Sequence, residues 1–199
     1  MKKIAILLTL AVIFISLVSC GGTDVYEKQN EMVSEAYSSL TVDIKTEQNG
    51  ESLSSKYVIE NKKDTTEIYY NIRFFSIFTK DENGNYTAPD SYQKQYIGTV
   101  TLRDGEIIKT SGFALENAEL ISFPSFSFDE RYFSNVRDNQ EDGIFSADVI
   151  NPLGFTGKSL RCSNMKLEVY YKNDNIYSMK ISYLSQNGIF VKSEYSFDY

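Results

Sequence analysis

Apolar and polar residues alternate most regularly in the last third of the chain. Met165, Leu167, Val169 and Tyr171 fall on one side of an extended segment, and Lys166, Glu168 and Lys172 on the other. That period of two predicts a half-buried strand. Asn173-Asp174-Asn175 breaks it with turn residues, after which Tyr177, Met179, Ile181 and Tyr183 resume the pattern. Asn187-Gly188 breaks it again, and Ile189, Val191, Tyr195 and Phe197 form a third apolar row. Three strands of matched alternation joined by tight turns predict an antiparallel meander. One face packs on the core and the other is wet, carrying Lys180, Lys192 and Glu194.

The same period governs the middle of the chain. Val42, Ile44 and Thr46 alternate with polar neighbours, Asn49-Gly50 predicts a hairpin turn, and Leu53, Tyr57 and Ile59 lie on the return strand. Residues 68–78 become apolar on both faces towards Ile72, Phe74, Phe75, Ile77 and Phe78, which predicts a central strand covered twice. A turn over 81–85 leads to a strand near 96–102, and Asp104-Gly105 turns the chain back through Ile107 and Ile108. Before all of these, Val25, Met32, Val33, Ala36, Tyr37 and Leu40 recur at helical spacing. They predict one amphipathic helix whose stripe lies on the core, with Asp24 and Glu27 placed as a variant capping box. The fold class expected is mainly β with some α: a curved antiparallel sheet of hairpins, one packed N-terminal helix and a loop-rich middle.

The first twenty residues follow a different pattern. Met1-Lys2-Lys3 is followed by an apolar run over 4–17 and then by small residues, the three-part layout of a secretory leader. As a helix the run reaches about 21 Å, short of a hydrocarbon core of about 30 Å, so a permanent span is not expected. Leu17-Val18-Ser19-Cys20 resembles the lipobox of bacterial lipoproteins. That resemblance implies cleavage before Cys20 and a diacylglyceryl group on its thiol, which makes Cys20 the lipid-attachment site and the membrane a partner through its anchor. Two acyl chains suffice for stable anchoring where one does not. The expected organisation is a cleaved leader over 1–19, a lipidated cysteine and linker over 20–23, and one domain over 24–199 on the extracytoplasmic face of a bacterial membrane. The linker Gly21-Gly22-Thr23 reaches only about 10 Å, which keeps that domain beside the bilayer.

Composition narrows the chemistry. The formal net charge is −7 and becomes more negative once Lys2 and Lys3 leave with the leader, so nucleic acid is not an expected partner. The chain has no histidine, which removes Ser-His-Asp and Cys-His nucleophile pairs and His-ligated metals. With Cys20 acylated, Cys162 is left alone; no internal disulfide is expected, and Cys162 reads as a structural thiol rather than a reactive one. No cofactor and no catalytic residue is expected.

The order of elements, a helix, hairpins, a loop-rich middle and a final meander, resembles the half-barrel of the LolA/LppX group of lipoprotein-associated proteins. The resemblance implies a sheet cupping an apolar cavity that accepts acyl chains; no residue of that group is matched to a position of this chain.

Three segments offer candidate sites. Asp81-Glu82-Asn83-Gly84-Asn85 places oxygens at alternate positions, yet the glycine and the terminal glutamate of a calcium loop are missing, and a plain turn is expected. Asp129, Glu130, Asp138, Glu141 and Asp142 include enough carboxylates for an acid–base pair; their turn-forming neighbours favour solvated loops instead. The aromatic run of Phe123, Phe126 and Phe128, followed by Tyr132 and Phe133, contains Pro124 and is therefore an edge or a loop. Its rings either cap the open face of the sheet or, with Phe155 from the loop over 151–155, line the mouth of a hydrophobic ligand pocket. The expected function is a lipid-anchored, non-enzymatic binding module, with a filled structural or protein-interaction lipoprotein as the alternative and an extracytoplasmic hydrolase last.

Overall fold

The computed structural model describes residues 25–75, 79–80, 86–87, 93–112 and 125–199. Cys20, Phe123, the turn over 81–85 and the Asp24 half of the capping box lie outside them. Among the described residues no helix is long and apolar enough to cross a membrane.

Ten antiparallel strands form one unclosed sheet, with a helix at the N-terminus of the described chain. The first half contributes β1 (Ser39–Gln48), β2 (Glu51–Asn61), β3 (Thr66–Phe75), β6 (Gln93–Arg103) and β7 (Glu106–Gly112), with a separate ribbon of β4 (Thr79–Lys80) and β5 (Tyr86–Thr87). The second half contributes β8 (Phe133–Asn139), β9 (Ile144–Val149), β10 (Cys162–Lys172), β11 (Asn175–Ser185) and β12 (Phe190–Asp198). Their order is β7-β6-β3-β2-β1-β12-β11-β10-β9-β8. Two meanders thus meet at the centre, where β1 pairs with β12 from Ser39 opposite Asp198 to Glu47 opposite Phe190.

Register puts the predicted apolar rows on one face. Ile59, Leu40 and Phe197 lie near one end of the sheet, and Tyr57, Val42, Tyr195 and Met179 stand in the next row. Val169 opposite Met179, and Phe145 opposite Val169, carry the same face through β10 to β9. The tight turns hold where their residues tolerate positive φ: Asn49 and Gly50, Asp104 and Gly105, Asn173 and Asp174. Gly98 is needed for space rather than for φ, because a Cβ there would collide with the hydroxyl of Tyr70, a ring buried opposite it.

Two elements differ from expectation. The helix α1 spans Val25–Ser34 and stops well before Leu40, which belongs to β1. Pairing wins over the continued helical period: Ser38 N–H donates to the Asp198 carbonyl at 2.7 Å and Asn61 N–H to the Ser38 carbonyl at 2.9 Å, fixing the chain as strand on both sides. The middle, expected to be loop-rich, also holds the hairpin of β8 and β9, with Asp138 on its first strand and Glu141 and Asp142 in its turn. The turn chemistry at Asn139 and Gly143 was legible, but it closes a hairpin. β3 is interior, flanked by β2 and β6; Tyr69 on its second face is exposed, and the run through Ile77 and Phe78 lies outside the described residues.

Candidate functional site

The aromatic loop comes to rest between α1, the sheet and a second short helix. α1 presents Tyr26, Gln29, Met32 and Val33 to the domain, a helical stripe. Asn30 sits beside that stripe and clamps the loop at two points. Its Nδ2 donates to the Phe128 carbonyl at 2.7 Å, and the Phe128 N–H donates to its Oδ1 at 2.7 Å. One side chain thereby satisfies both backbone groups of a residue that has no strand partner.

Phe128, held this way, enters a cluster of rings. It stacks on Phe133 with centroids 5.6 Å apart and meets Phe145 and Phe155 edge-on at 5.8 and 5.5 Å. Tyr26 of α1 lies parallel to Phe133 at 6.0 Å. Phe128, Phe133, Phe145 and Phe155 are all buried, each contributing on the order of 1.5–3 kcal/mol through lost apolar surface.

Helix α2 (Pro152–Thr156) delivers Phe155. Asn151 caps it by accepting from the Gly154 N–H at 3.0 Å, and Gly157 ends it in the left-handed region. Tyr132 lies against Gly154 so closely that any Cβ there would strike its ring.

Phe126 behaves differently from its neighbours. It is half-buried, tilted on Phe155 and edge-on to Tyr195, both at 5.2 Å. It also walls a cleft of about 450 Å³ between the end of α1 and the β1–β12 seam. Val33, Tyr37, Leu40 and Phe197 supply the apolar lining, while Asn30, Ser34 and Ser125 bring polar atoms to it. The volume falls within the range of small-ligand clefts, roughly 300–1,000 Å³. The phenols of this face stay protonated far above neutral pH: burial raises Tyr37, Tyr183 and Tyr195, and pushes Tyr57 up to about 12.

Of the predicted pocket-mouth residues, Phe126, Phe128, Tyr132, Phe133 and Phe155 are thus brought together, with Phe126 alone among them on the cleft. Phe123 lies outside the described residues. Asn30 was not singled out in the sequence; an amide inside an otherwise amphipathic helix was the available signal. Of the carboxylates considered for acid–base work, Asp129, Asp138 and Asp142 are separately engaged. Asp129 caps a single 3₁₀ turn (Glu130–Tyr132) and pairs with Arg131 through two bonds of 2.8 and 2.7 Å, which hold it down to about 2. Asp138 accepts the Tyr171 hydroxyl at 2.8 Å, and Asp142 accepts from Asn139 at 2.6 Å in the β8–β9 turn.

Cys162 is half-buried, and burial raises its pKa. Among the described residues no cluster of acidic and cysteine side chains is placed to hold a metal ion. No protein-family model and no curated protein matches this chain.

Proposed function

We propose that this protein is a lipid-anchored, extracytoplasmic module that binds without catalysing, and that it takes an apolar group of its ligand in the cleft between α1 and the β1–β12 seam. The observation that carries this reading is the cleft itself: an apolar recess of about 450 Å³ on the core face of the sheet, with one ring of the aromatic loop as its wall. Carboxylates tied to Arg131, Tyr171 and Asn139 speak for binding rather than hydrolysis. The anchor rests on Leu17-Val18-Ser19-Cys20 and the leader before it.

Organic extraction and mass spectrometry of the domain over 21–199, together with titration by a fluorescent fatty acid, test the cleft. A stoichiometric acyl ligand, and probe binding weakened roughly tenfold by Val33→Trp, are expected. Neither lipid nor probe binding would remove the reading. The burial of Phe128, Phe133 and Phe155 favours a second reading, a protein-interaction lipoprotein with a filled interior, and that negative result is the one it predicts. For the anchor, Cys20→Ser abolishes incorporation of labelled palmitate into the chain; persistent labelling contradicts it.

A further inference from the structure

The cleft beside the end of α1 has an uncharged lining and an acidic shoulder. Among the described residues the lining holds aliphatic and aromatic side chains, an amide, hydroxyls and phenols, and no carboxylate, lysine or arginine. Burial keeps its two phenols, Tyr37 and Tyr195, protonated at neutral pH. An ionised head group drawn inside would lose its hydration with no opposite charge to offset the loss. An apolar chain loses nothing there, so any charge on the ligand belongs outside the recess.

The charge nearest to it is on α1. Residues three or four apart on a helix are neighbours, which sets Glu31 beside Ser34 and Glu27 beside Asn30, both of them cleft residues. Ser34 Oγ donates to the Glu31 carbonyl at 2.7 Å. Glu27 and Glu31 are exposed, and neither has a cation within ion-pair distance among the described residues. Lys28, the only cation of α1, is engaged elsewhere: its Nζ lies 3.7 Å from Asp174 and 4.9 Å from the centre of the Tyr171 ring. On the loop that Asn30 clamps, Arg131 is tied to Asp129 at 2.7 Å, and the next carboxylate, Glu130, is exposed. Like charges four apart destabilise a helix; a cation placed between Glu27 and Glu31 relieves that repulsion.

We infer, on the strength of the binding role proposed above, that the ligand of this cleft is an amphiphile with a cationic head, its apolar chain in the recess and its head beside Glu31 and Glu27. An anionic head meets both glutamates and a chain of net charge −7, so a fatty acid enters through its chain alone and binds more weakly. A neutral head gains nothing from the glutamates. A cationic head gains two exposed charge contacts, each small by itself, without leaving water. The glutamates select among amphiphiles that the cleft already admits; without the cleft they would be an ordinary solvated helix face.

Calorimetric titration of the full chain in neutral phosphatidylcholine nanodiscs, with the heats of protein-free discs subtracted, tests the preference. The probes are decyltrimethylammonium, decanoate and decanol, equal in chain length and different in head charge. Decyltrimethylammonium is expected to bind roughly tenfold tighter than decanoate, the factor that two exposed ion pairs supply, and added salt narrows the gap. Combining Glu27→Gln with Glu31→Gln brings the probes to within about twofold of one another. Both side chains are exposed, so that variant keeps the wild-type circular dichroism spectrum. Equal or tighter binding of decanoate, or a preference that survives both substitutions, overturns the cationic assignment and leaves the cleft standing. No binding of any probe, or binding that Val33→Trp does not weaken, removes the cleft and the assignment with it.

Discussion

Gln29 is fully buried on α1, and neither its Oε1 nor its Nε2 has a hydrogen-bond partner. Removing an unsatisfied buried amide for an apolar group of similar size recovers its desolvation cost, on the order of 1–3 kcal/mol. Gln29→Leu is therefore expected to raise the unfolding free energy by about 1–2 kcal/mol, read from the urea midpoint at constant slope; a lower midpoint would mean that the amide is satisfied in solution. Asn30, one residue on, is the opposite case, since both ends of its amide are occupied by Phe128. The buried phenols set the alkaline limit of the fold. Tyr57 and Tyr171 are pushed from the ordinary 10.0 to about 12, chiefly by burial, with Asp138 adding to the effect at Tyr171. Because the folded pKa is raised, the neutral phenol's contribution is fully present below pH 10 and is lost as pH rises through about 12. Tyrosinate absorbance should accordingly show a delayed fraction that ionises together with loss of β circular dichroism. If every tyrosine titrates near 10, these rings are solvated.

Elements were legible wherever local chemistry was sufficient. Asn49-Gly50 and Asp104-Gly105 announce their hairpins, and the meander of β10, β11 and β12 keeps its alternation with Lys180, Lys192 and Glu194 on the wet face. β8 escaped notice because a bulge between Ser134 and Arg137 interrupts its period, with Asn135 at φ 53° and its amide on Asp148. Asn164 has the same φ and lies at the neighbouring bulge in β10, between Ser163 and Lys166. The helix end was hidden for another reason: Ala36, Tyr37 and Leu40 happen to continue the helical spacing, while pairing to β2 and β12 makes the chain a strand from Ser39. This misreading also concealed the cleft. Tyr37 and Leu40 line it because the chain turns from helix into strand between them and Val33. The aromatic run was visible as a candidate; that Asn30 clamps it was not, since the contact spans 98 positions of sequence.

At the level of the whole molecule, the pairing that no local pattern announces is the one at the centre. β1 and β12 have matching apolar rows, Leu40 and Val42 against Phe197 and Tyr195, but so do several other strand pairs. The seam joins two five-stranded meanders that are otherwise separate in sequence. Deleting 190–199 should remove the middle of the sheet rather than trim an edge, exposing Leu40, Val42, Met179 and Ile181 together. The expected product lacks a cooperative thermal transition and binds a hydrophobic dye; a cooperative transition near the full-length midpoint would show that the halves fold independently. The seam also sets a timetable. β1 is synthesised well before its partner β12, so the sheet stays open at its middle until β12 has been made.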